Sequence, residues 1–261
     1  FTSGPSHHGA TLRTPPRPPP PPPPPPPHPH PPPHHPPTPA GHVRRMDSLY
    51  REWPYRAYNF IYGGANEVGY GTAVFSRFPI VEAQRTIFEQ SSNSLLRADV
   101  LLPSGDTVRL FNNHLQSTQV DEGSQRRVER LDVRGEEGTG KFVRSVGSHL
   151  KANYRRRAVQ VDTVSRMIAS SPYPALVAGD FNDTPVSYTY KKMRGGLEDA
   201  FVNAGSGYGY TYNRLFSMLR IDYLFHSPLF ETEVYRSDRL PWSDHNPVFV
   251  QLRRRGATSG E

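Results

Sequence analysis

Four short segments hold residues whose types and spacing suit hydrolytic chemistry. Asp180 and Asn182 lie in Ala178-Gly179-Asp180-Phe181-Asn182-Asp183-Thr184-Pro185, where an apolar strand gives way to a polar turn. Spaced by two in extended chain, their side chains project the same way, so a carboxylate and an amide can address one phosphate or one metal-bound water. His114 closes the strand-like run Phe111-Asn112-Asn113-His114-Leu115, and Asp222 sits inside the apolar Arg220-Ile221-Asp222-Tyr223-Leu224-Phe225. A carboxylate in such a strand is expensive without a partner. Asp244 and His245 fall in Ser243-Asp244-His245-Asn246-Pro247, just ahead of a last apolar run. A buried Asp that orients a His fixes the imidazole tautomer and raises its basicity, as a general base requires. Taken singly, a strand-end Asp or His is more often a turn cap or a satisfied hydrogen-bond partner. Four such sites, each at a strand end or edge, point together to chemistry.

These residues need a rigid frame, and from about Arg44 the sequence supplies one. Apolar runs predict strands over Gly71 to Arg77, Ser94 to Leu102, Thr107 to Leu115, Ala175 to Gly179, Arg220 to Phe225 and Pro247 to Leu252. Pro103-Ser104-Gly105-Asp106 predicts a hairpin turn between the second and third. Val108 and Leu110 then share one strand face while Arg109 and Phe111 share the other. Leu150, Ala158, Val161, Val164, Met167 and Ile168, with Phe142 and Val146, recur mostly every three or four residues and predict one or two amphipathic helices over 141–171. Ser170-Ser171-Pro172 ends them, and a short helix is expected near Tyr188 to Arg194. Mixed strands and helices indicate an α/β sandwich rather than an all-β barrel.

Ahead of this frame the composition is that of another polymer. The chain has 261 residues, and 20 of its 29 prolines and 7 of its 11 histidines fall in residues 1–42. Proline fixes φ and has no backbone donor, so this stretch is read as extended or disordered, a spacer or a ligand for a proline-recognising domain. His28, His30, His34 and His35 could make a weak metal site within it. With no cysteine there is no disulfide framework, thiol nucleophile or Cys-ligated zinc. No apolar run approaches the ~18 residues of a membrane helix and no signal peptide is legible, so a soluble chain is expected, its compartment unassigned. The formal charge of +7 raises nucleic-acid binding as a reading. Arg126, Arg127, Arg130 and Arg155 to Arg157 form basic groups, yet acidic residues interrupt the first set.

In order and spelling the motifs resemble the endonuclease/exonuclease/phosphatase superfamily, the deoxyribonuclease I-like fold. The matching pieces are Gly71 to Ile80, Asn112-Asn113-His114-Leu115, Gly179-Asp180-Phe181-Asn182, Arg220-Ile221-Asp222-Tyr223 and Ser243-Asp244-His245-Asn246-Pro247, spread over about residues 45–253. The resemblance implies a four-layer α/β/β/α sandwich of two mixed, largely antiparallel sheets. It implies a metal-dependent phosphoester or phosphodiester hydrolase in which His245 activates water and Asp222 orients it. Asp180 would position the water or assist the leaving group, Asn182 and His114 would hold phosphate oxygens, and Asp244 with Asn182 would belong to the metal shell. Magnesium suits that chemistry, with manganese as its substitute.

The family's first β-α-β unit, with its metal-binding Glu, has no counterpart ahead of Gly71; Glu52 and Glu67 follow no buried strand. The expectation is a tail over 1–42, a hydrolase domain over 43–253 incomplete at its N-terminus, and a disordered end over 254–261. A catalytically impaired fragment, or a non-enzymatic phosphate-binding module with a proline-rich arm, is the alternative. The substrate is expected to be a nucleic acid, a phospholipid head group or a sugar phosphate, bound by a monomer. The loops 116–140 and Gly205 to Met218 are expected to set specificity.

Overall fold

The computed structural model describes residues 46–62, 69–89, 91, 93–118, 139–213 and 219–256. The Pro/His stretch with its four histidines, Glu67, and most of the loop 116–140 with Arg126, Arg127 and Arg130 lie outside the described residues. Within one compact unit, Pro36–Glu261, the described chain is α/β with mixed, largely antiparallel sheets.

Ten strands run in order: β1 Tyr55–Tyr62, β2 Gly69–Ser76, β3 Ile80–Ile87, β4 Ser94–Leu101, β5 Thr107–His114, β6 Ala175–Asp180, β7 Glu198–Asp199, β8 Asp222–His226, β9 Phe230–Arg236 and β10 Phe249–Arg254. Helix α1, Thr139–Ala169, joins β5 to β6; α2, Tyr188–Arg194, and α3, Ala200–Ala204, follow. Six strands form one sheet in the order β3-β4-β5-β6-β8-β7, while β1 pairs with β2 and β9 with β10. Among the described residues only the β5–β6 pairing is parallel, as the long helical crossover between those strands requires.

The sheet is covered on both faces, which explains why β4 reads as a near-continuous apolar run rather than an alternation. Leu95, Phe111, Val177 and Phe225 pack against Val161, Val164, Met167 and Ile168 of α1 and against Tyr190 and Met193 of α2. Leu96 and Ala98 face the other way, onto Ala57 of β1 and Val74 of β2. Each fully buried Leu or Phe contributes about 1.5–3 kcal/mol. The expected hairpin is present: β4 and β5 pair from Ser94↔His114 to Leu101↔Thr107, and Gly105 takes the left-handed conformation at φ +85°. Arg109, on the Phe111 face as expected, forks onto Asp99 with two bonds of 2.7 Å.

Several elements differ from the sequence reading. The segment 141–171 is one helix rather than two, and it begins at Thr139. Strands β1, β3, β7 and β9 were not expected. β3 is mostly exposed, with a burial pattern that does not alternate, so nothing in its spelling marks it. Arg157 is fully buried, unlike its exposed sequence neighbours Arg155 and Arg156. Glu52 lies in an exposed turn before β1. Among the described residues no helix is long and apolar enough to cross a membrane.

Candidate active site

The ends of three adjacent strands line up a row of side chains. His114 ends β5 and pairs with Asp180 at the end of β6; Asp180 pairs in turn with Asp222, the first residue of β8. Residues paired across a ladder lie side by side, so the register alone brings the three together. His114 Nε2 lies 4.0 Å from Asp180 Oδ2.

His245 reaches the row from the far end of the chain. Its Nδ1–H donates to Asp222 Oδ2 at 2.9 Å, and its ring stands 4.9 Å from that of Tyr212. A lone bridge between Tyr212 and His245 ties the two segments together. Oriented this way, the imidazole keeps Nε2 without a hydrogen-bond partner among the described residues. Thr211 fixes the other end of the dyad: its fully buried hydroxyl accepts from Ile221 N–H at 3.1 Å and Asp222 N–H at 3.0 Å.

The turn after β6 depends on two unusual backbone positions. Gly179 has φ +127°, and a Cβ there would stand 1.9 Å from the Asn113 carbonyl oxygen, so only glycine lets β5 and β6 close up beside Asp180. Asn182 has φ +53°, a left-handed position that Asn tolerates better than most residues. Its side chain then anchors the turn, Nδ2 donating to the Leu115 carbonyl and to Asp180 Oδ2, each at 2.9 Å. Its main-chain N–H donates to Asp180 Oδ1 at 2.8 Å. Asn182 Oδ1 has no hydrogen-bond partner among the described residues.

Beneath this turn Arg157 of α1 donates through Nη1 to the Gln116 carbonyl at 2.6 Å. Its Nε lies 3.2 Å from Asp183 Oδ2, near enough to pair as charges though not aligned as a hydrogen bond. One turn along the helix, Gln160 Oε1 accepts from Gln116 N–H at 2.8 Å. One helix face thus holds both the chain leaving β5 and the chain leaving β6.

The electrostatics follow from this crowding. Burial, then the facing Asp222 carboxylate, raise Asp180 to about 7, against the bond from Asn182 N–H and the pull of His245 and Arg157. The hydrogen bond to Asp222 raises His245 above the ordinary imidazole range, outweighing its burial. Burial, then the neighbouring charge of His245, lower His114.

Among the described residues, the group whose ligand atoms lie mutually within 4.8 Å is Asp180, Asp222 and His245. Two carboxylates with a free amide oxygen nearby form a hard oxygen donor set of the kind magnesium accepts. Asp244 stands outside that group; it is exposed, and its carbonyl accepts from Asn213 N–H at 2.7 Å. Of the residues singled out in the sequence, His114, Asp180, Asn182, Asp222 and His245 converge. Thr211 and Tyr212 were not foreseen, because a hydroxyl that only serves main-chain donors has no spelling of its own. Arg157 and Gln160 carried a signal, since they sit three apart on the helix stripe of Val161 and Val164.

A search of curated protein sequences finds no match to the chain. Three solved structures share the fold. The mannosyl-6-phosphatase of Bacteroides thetaiotaomicron VPI-5482 is 18% identical with TM-score 0.50, over 81% of this chain and 82% of that one. The catalytic domain of human Nocturnin with bound sulfate anion is 16% identical with TM-score 0.53, over 82% and 76%. TDP2 of D. rerio complexed with single strand DNA product is 18% identical with TM-score 0.51, over 82% of each. At such identities the likeness establishes architecture alone. The family model for Endonuclease/Exonuclease/phosphatase matches residues 32–245. With most of its length matched, the chain belongs to the endonuclease/exonuclease/phosphatase family.

Proposed function

We propose that this protein is a divalent-metal-dependent hydrolase of phosphoesters, with residues 43–253 as its catalytic domain and His245 as the general base. The observation that carries the reading is the 2.9 Å bond between His245 Nδ1 and Asp222, which leaves Nε2 to take a proton beside Asp180 and His114. The family is one of phosphoesterases and nucleases and generally depends on a divalent metal.

His245 Nε2 removes a proton from water, and Asp222 stabilises the imidazolium that forms. Asp180, poised near neutrality, directs the water and can return a proton to the departing oxygen. His114, half-buried at the end of the row, and Asn182 steady phosphate oxygens. Asn182 Oδ1 and Asp180 are the donors that would hold magnesium or, in its place, manganese, and Asp244, exposed beside His245, would take an outer position in that shell. When bound, the cation neutralises charge as the phosphoryl group transfers.

The test is hydrolysis of a generic phosphodiester with millimolar magnesium, with and without chelator, in the wild type and in His245→Ala. Metal-dependent turnover that disappears in the variant supports the proposal; no turnover in the wild type refutes it. The carboxylates gathered at the site among the described residues are Asp180 and Asp222, with Asp222 already engaged by His245. That arrangement favours a second reading, a phosphate-binding module without turnover. Phosphate binding by calorimetry with feeble magnesium affinity and no hydrolysis would select it.

A further inference from the structure

A cavity of about 470 Å3 opens beside the segment that carries His245, and the catalytic assignments leave it unused. Its walls come from 206–213, within one of the loops expected to set specificity, and from the end of β9 and the residues after it. Asn246, next to the catalytic imidazole, belongs to the same wall. Asn213 Nδ2 donates to Asn246 Oδ1 at 2.7 Å, and Asn246 Nδ2 donates to the Tyr210 carbonyl at 3.1 Å. Cavity and base therefore share one hydrogen-bonded frame.

The lining is polar and net positive, with Arg236 and Arg239 against Asp238. Among the described residues neither arginine has a carboxylate partner; Arg236 lies over the Phe249 ring at 4.9 Å and Arg239 is exposed. At the neighbouring strand end Arg253 pairs with Glu231 and Glu233, Arg254 with Asp106 and Arg255 with Glu198. Two guanidiniums without a carboxylate partner among the described residues, on the wall of a polar cavity next to His245, suit an anionic group.

We infer that this cavity is a subsite for a second phosphate of the substrate, held by Arg236 and Arg239 while the scissile phosphate lies at His245. A planar guanidinium matches phosphate oxygens with paired donors, whereas a neutral sugar alone gives two unpaired cations nothing to neutralise. The assignment rests on the hydrolase reading for which phosphate is scissile. The second phosphate belongs either to a nucleic acid strand, whose bases could meet the stacked Tyr208 and Tyr210 rings at 5.3 Å, or to a sugar carrying several phosphates.

Calorimetric titration in chelator, where no turnover is needed, compares two matched pairs: a 5′-phosphorylated dinucleotide against the unphosphorylated one, and inositol bisphosphate against inositol monophosphate. The wild type should bind at least one doubly phosphorylated member about tenfold or more tightly than its partner. The double variant Arg236→Ala, Arg239→Ala should lose that preference; both side chains are exposed, so the fold does not depend on them. The dinucleotide pair alone showing the preference assigns a strand, the inositol pair alone a sugar. Less than a twofold preference in both pairs, or a preference that survives the double variant, overturns the subsite. His245→Ala should abolish hydrolysis and keep the preference, so a preference without wild-type turnover upholds the subsite and sinks only the catalytic reading.

Discussion

Asp180 and Asp222 stand opposite each other on neighbouring strands, paired in the antiparallel ladder between β6 and β8. Like charges so placed repel, and the structure resolves the conflict unequally. Asp222 is given to His245, while Asp180 is left buried and rises to about 7. One site thereby holds an oriented base and a carboxyl group able to exchange a proton near neutral pH.

This arrangement costs stability, with a definite sign. Asp180 titrates near 3.8 when unfolded and about 7 when folded, so between those values the folded state binds more protons. In metal-free buffer its contribution to stability should fall as pH rises from about 4 to 7. Thermal melts across that window should show wild type losing ground to Asp180→Asn. Millimolar magnesium should then raise the wild-type melting temperature at pH 8, and a melt unchanged by metal would contradict the donor assignment.

The pH dependence of catalysis follows from His245. A base works unprotonated, and its bond to Asp222 raises its pKa, so kcat/KM should climb with pH through a value above the ordinary imidazole range. Asp222→Asn should move that acid limb to lower pH while lowering kcat by about 10²–10⁴-fold. An unshifted limb in this variant would remove Asp222 from its role.

Gly179 is a steric test of the frame. A methyl group there meets the Asn113 carbonyl at 1.9 Å, at a φ of +127° that side chains rarely adopt. Gly179→Ala should cost more than about 2 kcal/mol in denaturant unfolding, against a few tenths for an ordinary exposed site. Gly105, with open space around its Cβ direction, provides a milder comparison.

Arg157 tests the underside of the site. Fully buried, it serves the Gln116 carbonyl and lies against Asp183, so Arg157→Met strands both and should cost about 3–5 kcal/mol. The exposed neighbour in Arg155→Met should change stability by less than about 0.5 kcal/mol, as chemical denaturation can read.

The row of candidate site residues was legible because they lie in or at the ends of strands whose apolar runs are themselves legible. Asp180 and His114 announce themselves as polar residues at the ends of buried segments and Asp222 as a carboxylate inside an apolar run, although the strand there begins only at Asp222; the ladder does the rest. β3 was not legible, since its mostly exposed residues obey no strict alternation; β9 does alternate, Phe230 and Thr232 inward against Glu231 and Glu233, but that stretch is short and carries only one large apolar residue in it. The supports of the site were hardest to see. Thr211 and Arg157 act through main-chain groups distant in sequence, and only the folded chain shows which carbonyl or amide each one meets.

The most direct measurement of the central claim is chemical rescue of His245→Gly, with phosphodiester turnover followed in magnesium as imidazole is added. The account predicts that the variant loses at least about 100-fold in kcat and that imidazole restores part of it, with a rate that follows the neutral imidazole concentration. Turnover by the variant within a few fold of wild type would contradict His245 as the base.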